Sequence, residues 1–224
     1  MRKLLRVAKR IANVVLGTAS DSWFWKYRHI FDKRWAEKYI SENSLSHPHR
    51  KLLVEKILKH KPQSILEIGC ASGPNLILLA QKLPQSKLTG LDISRSAVQA
   101  GRKYLELQNI KNVKLETGNI LDLKKFADKS FDIVFTDATL IYVGPDNIKK
   151  VIREMARICR TTLVLNEWHS ILEKSFPHRF QWVHNYQSLF KEIVPSEEIK
   201  LTKISEDVWP GNWAKYGYII EIKI

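Results

Sequence analysis

Several short segments of this chain carry residue types that can hold a ligand and act on it. The run Ser64-Ile65-Leu66-Glu67-Ile68-Gly69-Cys70-Ala71-Ser72-Gly73-Pro74-Asn75 passes from apolar residues into small ones and then to a proline. That is the pattern of a strand turning into a helix, and its small residues let backbone approach a ligand closely. Asp92, in Gly90-Leu91-Asp92-Ile93, lies 23 residues after Gly69. A carboxylate at the end of a second strand can accept two hydroxyl protons at once. Asn119, in Gly118-Asn119-Ile120, follows a third apolar run, and Asp137 closes a fourth, Phe131-Asp132-Ile133-Val134-Phe135-Thr136-Asp137. Tyr142 and His169 come after the fourth and fifth runs, at the edge where open α/β sheets bind ligands. His169 is the better general base, because an imidazole titrates near neutrality and can take a hydroxyl proton.

Each residue also has a plainer role. Asp92 can cap a helix, Asn119 can sit in a turn, Asp137 can cap a loop, and a loop histidine is commonly a surface residue. As an ordered set on successive strands they read as a ligand site. Gly69 and Gly73 are four apart with no third glycine following, so the dinucleotide fingerprint is not met and a nicotinamide enzyme is disfavoured.

From Pro62 onward, short apolar runs alternate with helical segments, the signature of a parallel sheet covered by helices. The pattern predicts strands over 64–68, 87–91, 113–116, 131–136 and 162–166, with helices over 74–82, 96–108 and 147–159. After Glu167 it predicts a loop-and-helix insert holding Phe176, Phe180, Trp182 and Phe190. Residues 199–204 and 216–222 then form an antiparallel pair at the sheet edge.

The ordered series from Ile65 to Glu167 resembles the class I S-adenosylmethionine-dependent methyltransferases. The resemblance implies a Rossmann-like α/β fold with a seven-stranded, mostly parallel sheet and helices on both faces, one strand near the C-terminus running antiparallel. It implies that Glu67, Gly69 and Gly73 surround the methionine part of S-adenosylmethionine, with Asp92 accepting from both ribose hydroxyls, and that Cys70, Ala71 and Ile93 also bind the cofactor. Asn119 would meet the adenine, its side-chain oxygen on the adenine amino group, and Ile120 also binds the cofactor. Asp137 would lie beside the transferred methyl group. Ala71 stands where the family usually has glycine, so that turn must avoid positive φ or accept strain. Asp137, Asn166 and Glu167 are hard oxygen donors, but the Asp-Asn pair of catechol-type methyltransferases is absent after the fifth strand, and no metal is expected. More loosely, 135–143 and 163–168 resemble methylases of bacterial surface-glycan and nonulosonic-sugar pathways.

The chain has 224 residues, 44% hydrophobic and 27% charged, the balance of a soluble globular protein. Two cysteines, Cys70 and Cys159, make neither a disulfide framework nor a zinc site, and a cytoplasmic location is expected. No run approaches the roughly 20 apolar residues of a membrane-spanning helix. The net charge of +14 is concentrated N-terminally, residues 1–60 carrying 14 Lys/Arg against 5 Asp/Glu. Residues 1–16 read as a basic amphipathic helix, which either contacts an anionic membrane through 1–17 or packs on the domain. A signal peptide is discounted because Asn13 interrupts a short apolar core. Tyr27, Phe31, Trp35 and Tyr39 fall at i, i+4 spacing, a stripe that packs on the domain or faces substrate as a lid. Residues 41–49 read as a loop and 50–59 as a helix. The division expected is a basic, aromatic-rich helical extension over 1–60 and a catalytic domain over 61–224.

The leading expectation is an enzyme that methylates a small molecule or glycan intermediate on oxygen, at the cytoplasmic side and peripheral to the inner membrane. An RNA methyltransferase, kept alive by the charge, and a non-catalytic binding module with the same fold are the alternatives. The amino-type base-methylation motif, Asn/Asp-Pro-Pro-aromatic after the fourth strand, is not present in Asp137-Ala138-Thr139-Leu140, which demotes nucleic acid.

Overall fold

The computed structural model describes residues 25–26, 32, 34–178 and 181–224. The basic segment 1–16, Tyr27, Phe31 and Phe180 lie outside the described residues. Nine strands are described: β1 (Ser64–Ile68), β2 (Lys87–Asp92), β3 (Val113–Thr117), β4 (Phe131–Asp137), β5 (Cys159–Trp168), β6 (Phe176–His178), β7 (Gln181–Val183), β8 (Ile199–Lys203) and β9 (Gly217–Lys223). The helices are α1 (Trp35–Tyr39), α2 (Glu42–Leu45), α3 (Pro48–Leu58), α4 (Pro74–Lys82), α5 (Arg95–Leu107), α6 (Pro145–Ile158), α7 (Tyr186–Phe190) and α8 (Asn212–Tyr216).

Seven strands form one sheet in the order β3-β2-β1-β4-β5-β9-β8. The pairs among the first five are parallel, and β9 runs antiparallel to both β5 and β8. This is the Rossmann-like methyltransferase fold that the ordered motifs imply. Central parallel strands are covered on both faces, which is why β1 and β4 read as near-continuous apolar runs rather than alternating ones. One face packs Leu66, Ile68, Val134 and Leu165 against Ile148, Ile152 and Met155 of α6 and Phe190 of α7. The other packs Ile65, Ile133 and Phe135 against Leu53 and Ile57 of α3, Leu76 and Leu79 of α4 and Val98 of α5. Each fully buried Leu or Ile contributes roughly 1.5–3 kcal/mol to folding.

Three local expectations are corrected. The stretch read as a loop over 41–49 holds α2 and the first turn of α3, because Pro48 occupies the first helical position and the His47 ring caps it by accepting the His49 N–H. The insert after β5 is a two-stranded antiparallel sheet, β6 with β7, before the short α7. β5 is longer than expected at both ends, with an irregular register opposite Phe131 and Ile133. Leu53 and Ile57 of α3, within the segment 1–60, lie in the same core as β1 and β4.

Candidate functional site

A cavity of about 600 Å³ opens at the carboxyl ends of β1, β2 and β4, with its floor on the β1-to-α4 turn. Parallel strand order reverses at β1, and such a reversal leaves a crevice between the outgoing loops. One half of the wall comes from Gly69, Ala71, Leu91, Asp92, Ile93, Asn119 and Ile120, and Asp137 stands at the junction with the other half. The opposite half is aromatic and basic: Trp25, Trp35, Tyr39, His47, Arg50, Tyr142, Trp209 and Trp213 line it.

The β1 turn accepts strain rather than avoiding it. Ala71 has φ +48° and sits in the left-handed region, at a cost of roughly 1–2 kcal/mol for a residue with a side chain. What holds it there is its amide, which donates to Asp92 Oδ2 at 2.7 Å, while Asp92 Oδ1 accepts the Ser94 N–H at 2.8 Å. Burial raises the Asp92 pKa, and those two amides oppose the rise. Gly69 has φ +77°, and a Cβ there would lie 2.1 Å from Thr139 Oγ1, so the turn and the loop after β4 fit together only around a glycine. Asn119 lines the cavity, but its side-chain oxygen already accepts the Leu121 N–H at 2.9 Å, leaving one lone pair for a ligand.

Asp137 is the hub of a buried polar network. Its Oδ2 accepts from Asn75 Nδ2 at 3.0 Å and Arg50 Nη1 at 3.1 Å, and faces His49 Nε2 at 3.2 Å. Its Oδ1 accepts from Asn166 Nδ2 at 2.7 Å. Burial alone would raise its pKa, but His49, Arg50 and Asn75 outweigh it and hold the carboxyl well below the usual range. So saturated a carboxylate organises its neighbours rather than taking protons. Asn75 also donates to Glu67 Oε1 at 2.7 Å, bridging two carboxylates, and burial pushes the Glu67 pKa well up.

The structure brings Gly69, Ala71, Asp92, Ile93, Asn119, Ile120, Asp137 and Tyr142 to one cavity. Glu67, Cys70 and Gly73 are not in its wall. Glu67 and Cys70 are buried beneath the turn, and Gly73 caps α4 with φ +82°. His169 is elsewhere: it continues β5, bridges to His184, and its Nδ1 accepts the Tyr186 N–H at 3.2 Å. Burial lowers its pKa, and it is 3% exposed, so it has no route to a substrate in this cavity. His49 and Arg50 were not singled out from sequence. Their one local signal is the cluster His47-Pro48-His49-Arg50 at a helix start, and nothing local shows that it meets Asp137, 88 positions after His49. Trp209 and Trp213, stacked at 4.0 Å and 7°, were missed likewise. Trp35 serves both readings of the aromatic stripe, packing against Ala71 and Ala97 while lining the cavity. Among the described residues, no group of three or more His, Cys, Asp or Glu is placed to hold a metal ion.

Residues 59–221 match the methyltransferase domain family. The chain belongs to this family, whose methyl donor is S-adenosylmethionine. It is 29% identical over 147 residues to demethylmenaquinone methyltransferase of Listeria welshimeri, a match covering 65% of this chain and 59% of that protein. The chain thus spans less than two thirds of that relative. Among solved structures, a SAM dependent methyltransferase from Aquifex aeolicus superposes with a TM-score of 0.59 at 18% identity, covering 87% of this chain and 99% of that one. Magnesium protoporphyrin IX methyltransferase of Synechocystis PCC 6803, solved with bound SAH, gives 0.63 at 16% identity over 89% and 96% of the two chains. At these identities the superpositions show the fold.

The residues present fit the donor. Asp92 offers a carboxylate to the cavity that could accept hydroxyl protons, and Leu91, Ile93 and Ile120 offer apolar surface that would suit a flat heterocycle beside Asn119.

Proposed function

We propose that this protein methylates a hydroxyl group of a small molecule, using S-adenosylmethionine held by Gly69, Ala71, Asp92, Ile93, Asn119 and Ile120. When bound, the donor supplies an electrophilic methyl group on a positively charged sulfur. The chain's part is to line up the acceptor oxygen with that group in a space shielded from water. The observation that carries this reading is the second half of the cavity, where an aromatic wall and an imidazole, His47, face the donor half across Asp137. Trp35, Tyr39, Trp209 and Trp213 bind a ring or an apolar body and exclude water, and Tyr142 and Gln181, bonded at 3.1 Å, edge the chamber. Oxygen is the atom of choice because a hydroxyl must lose a proton, and a base stands at hand.

The related demethylmenaquinone enzyme supports a small organic acceptor. The looser resemblance to surface-glycan methylases supports a glycan intermediate within the same class. The extension over 1–60 acts in this reading as a cap over the catalytic domain, with residues 1–17 attaching a cytoplasmic enzyme to the anionic inner membrane surface. Among the described residues no helix is long and apolar enough to cross a membrane.

The test is methyl transfer from labelled S-adenosylmethionine to parallel panels of hydroxylated aromatic compounds, free and lipid-linked sugars, and RNA. Label appearing in an ether product of either small-molecule panel is the expected result. Transfer confined to RNA sinks the proposal, and absence of cofactor binding by calorimetry favours the non-catalytic alternative. For the extension, cosedimentation of the full chain with anionic vesicles, lost on deleting 1–17, is expected; equal recovery with and without the segment removes the membrane role.

A further inference from the structure

Resting on that reading, we infer that His47 and His49 form a two-imidazole relay that takes the acceptor's proton in the cavity and delivers its charge to Asp137.

The two Nδ1 atoms lie 2.6 Å apart, and nitrogens so close share one proton. On its other side His49 presents Nε2 to Asp137 Oδ2 at 3.2 Å. An ionised carboxylate only accepts, so Nε2 carries a hydrogen and the neutral His49 ring keeps its lone pair on Nδ1. The shared proton then belongs to His47 Nδ1, which leaves the His47 lone pair on Nε2. His47 and His49 both line the cavity, but His49 is buried, only 4% exposed, while His47 is half-buried. The chain of bonds therefore fixes the tautomer that a general base needs on the more exposed ring.

The pair is also built for the other state. When His47 Nε2 gains a proton, the Nδ1 proton crosses to His49, and the His47 Nδ1 is left bare. The His49 N–H, the cap donor of α3 at 3.4 Å from Nδ1, satisfies the bare nitrogen in this state, and this long bond is the one given up while Nδ1 carries the proton. The positive charge now rests on His49, between a buried carboxylate and the face of Trp209, whose ring stacks on His49 at 4.0 Å and 25°. An indole face attracts a cation. Arg50, 3.1 Å from the same Asp137 oxygen, opposes that charge, so the relay is charged only transiently. Burial is the largest cause lowering the His47 pKa, against the pull of Asp137, and the ring is neutral at pH 7 with its lone pair free.

The step balances. The acceptor O–H bond breaks and its proton binds His47 Nε2; the oxygen's electron pair forms the bond to the methyl carbon. The carbon–sulfur pair returns to sulfur and neutralises it. The proton held by the relay leaves to solvent with the products. An imidazole with a usual pKa near 6.5 is better matched to a phenol-type hydroxyl, at about 10, than to a sugar hydroxyl, and the aromatic wall agrees with a ring-bearing acceptor.

The experiment is histidine ¹⁵N NMR on the full chain saturated with S-adenosylhomocysteine, joined to kinetics on the aromatic panel. At high pH His47 should be the Nδ1-protonated tautomer, and on acidification the two rings should titrate as one coupled pair. Replacing the partner, His49→Asn, should return His47 to independent titration. His47→Asn keeps a good helix cap and should leave cofactor affinity within twofold while lowering kcat about 10²- to 10⁴-fold and removing the acidic limb of the pH–rate profile. An Nε2-protonated His47 at high pH, or two rings titrating independently in the wild type, overturns the relay whether or not an acceptor has been found. Failure to bind S-adenosylhomocysteine overturns the methyltransferase reading instead.

Discussion

Glu167 accepts the backbone N–H of Leu140 at 3.0 Å, one of three consecutive amides it holds; Thr139 donates to it at 2.9 Å and Ile141 at 3.2 Å. A single buried carboxylate at the end of β5 thus shapes the loop after β4, which carries Ile141, Tyr142 and Val143 to the cavity wall. Burial pushes its pKa up to about 7 against those amides. The folded state therefore holds this proton more tightly than the unfolded chain, whose glutamates titrate near 4.3. Its stabilisation is fully present below that value and is lost as pH rises through about 7. Glu167→Gln removes this slope and sets an amide donor against a backbone donor, a cost of about 1–3 kcal/mol. Melting curves across pH 4 to 8 check it; a variant keeping the wild-type slope would clear Glu167 as its source.

Asp137 has the opposite sign. Its folded pKa is depressed, so its contribution is full above the unfolded value of about 3.9 and declines as pH falls below it. Asp137→Asn strands Arg50 and should cost about 3–5 kcal/mol at pH 7. The gap in stability between wild type and variant should narrow on acidification toward pH 2. A gap constant with pH argues against an ionised Asp137.

At Asp92 two roles are separable. Asp92→Asn keeps an acceptor for the Ala71 amide but sets its NH2 against the Ser94 N–H, costing about 1–3 kcal/mol, and it removes the charge at the proposed ribose contact, so cofactor affinity should fall at least 10-fold. Asp92→Ala also releases the Ala71 and Ser94 amides, adding about 1–3 kcal/mol of instability. Calorimetry giving Asp92→Asn the wild-type affinity would remove Asp92 from the ribose site.

Gly69→Ala places a Cβ 2.1 Å from Thr139 Oγ1 and strains a residue at φ +77°. Stability should fall by about 2–4 kcal/mol, steric and conformational costs together. Thr139→Ala in the same chain should recover part of the steric cost and none of the conformational one, since the Thr139 Cβ remains 2.8 Å from the added Cβ. Strict additivity in the double-mutant cycle would mean that the two residues do not meet.

The alternation of apolar runs was enough to read all seven strands of the main sheet, because parallel strands buried on both faces leave a signal within their own residues. The half of the cavity proposed for the donor was approached in the same way, because its residues end a strand or lie within three residues of a strand end: Gly69 and Ala71 after β1, Asp92 and Ile93 at the end of β2, Asn119 and Ile120 after β3. The half proposed for the acceptor was not, since His49 and Arg50 meet Asp137, and His47 meets His49, only once α3 packs on the sheet, and Trp209 reaches His49 from far along the chain. His169 obeyed the same rule of position as Asp137, yet β5 continues to Trp168 and the bridge to His184 draws the ring inward. The hairpin of β6 and β7 escaped because three-residue strands carry too little periodicity to register.

The sheet order has a consequence for how the chain is made. β9 lies between β5 and β8, so β8 emerges from the ribosome before its neighbour exists. Until residues 217–223 are synthesised, the outer edge of β5 stays open, with Leu163, Val164 and Leu165 in an unpaired strand. With about 55 residues between the end of β5 and the end of β9, at about 5–20 residues per second that window lasts roughly 3–11 s. An open apolar edge invites pairing with another nascent chain, so the demand for chaperones during biosynthesis should be set by how quickly these late residues arrive, and ribosome pausing within 204–216 should lower the yield of native protein.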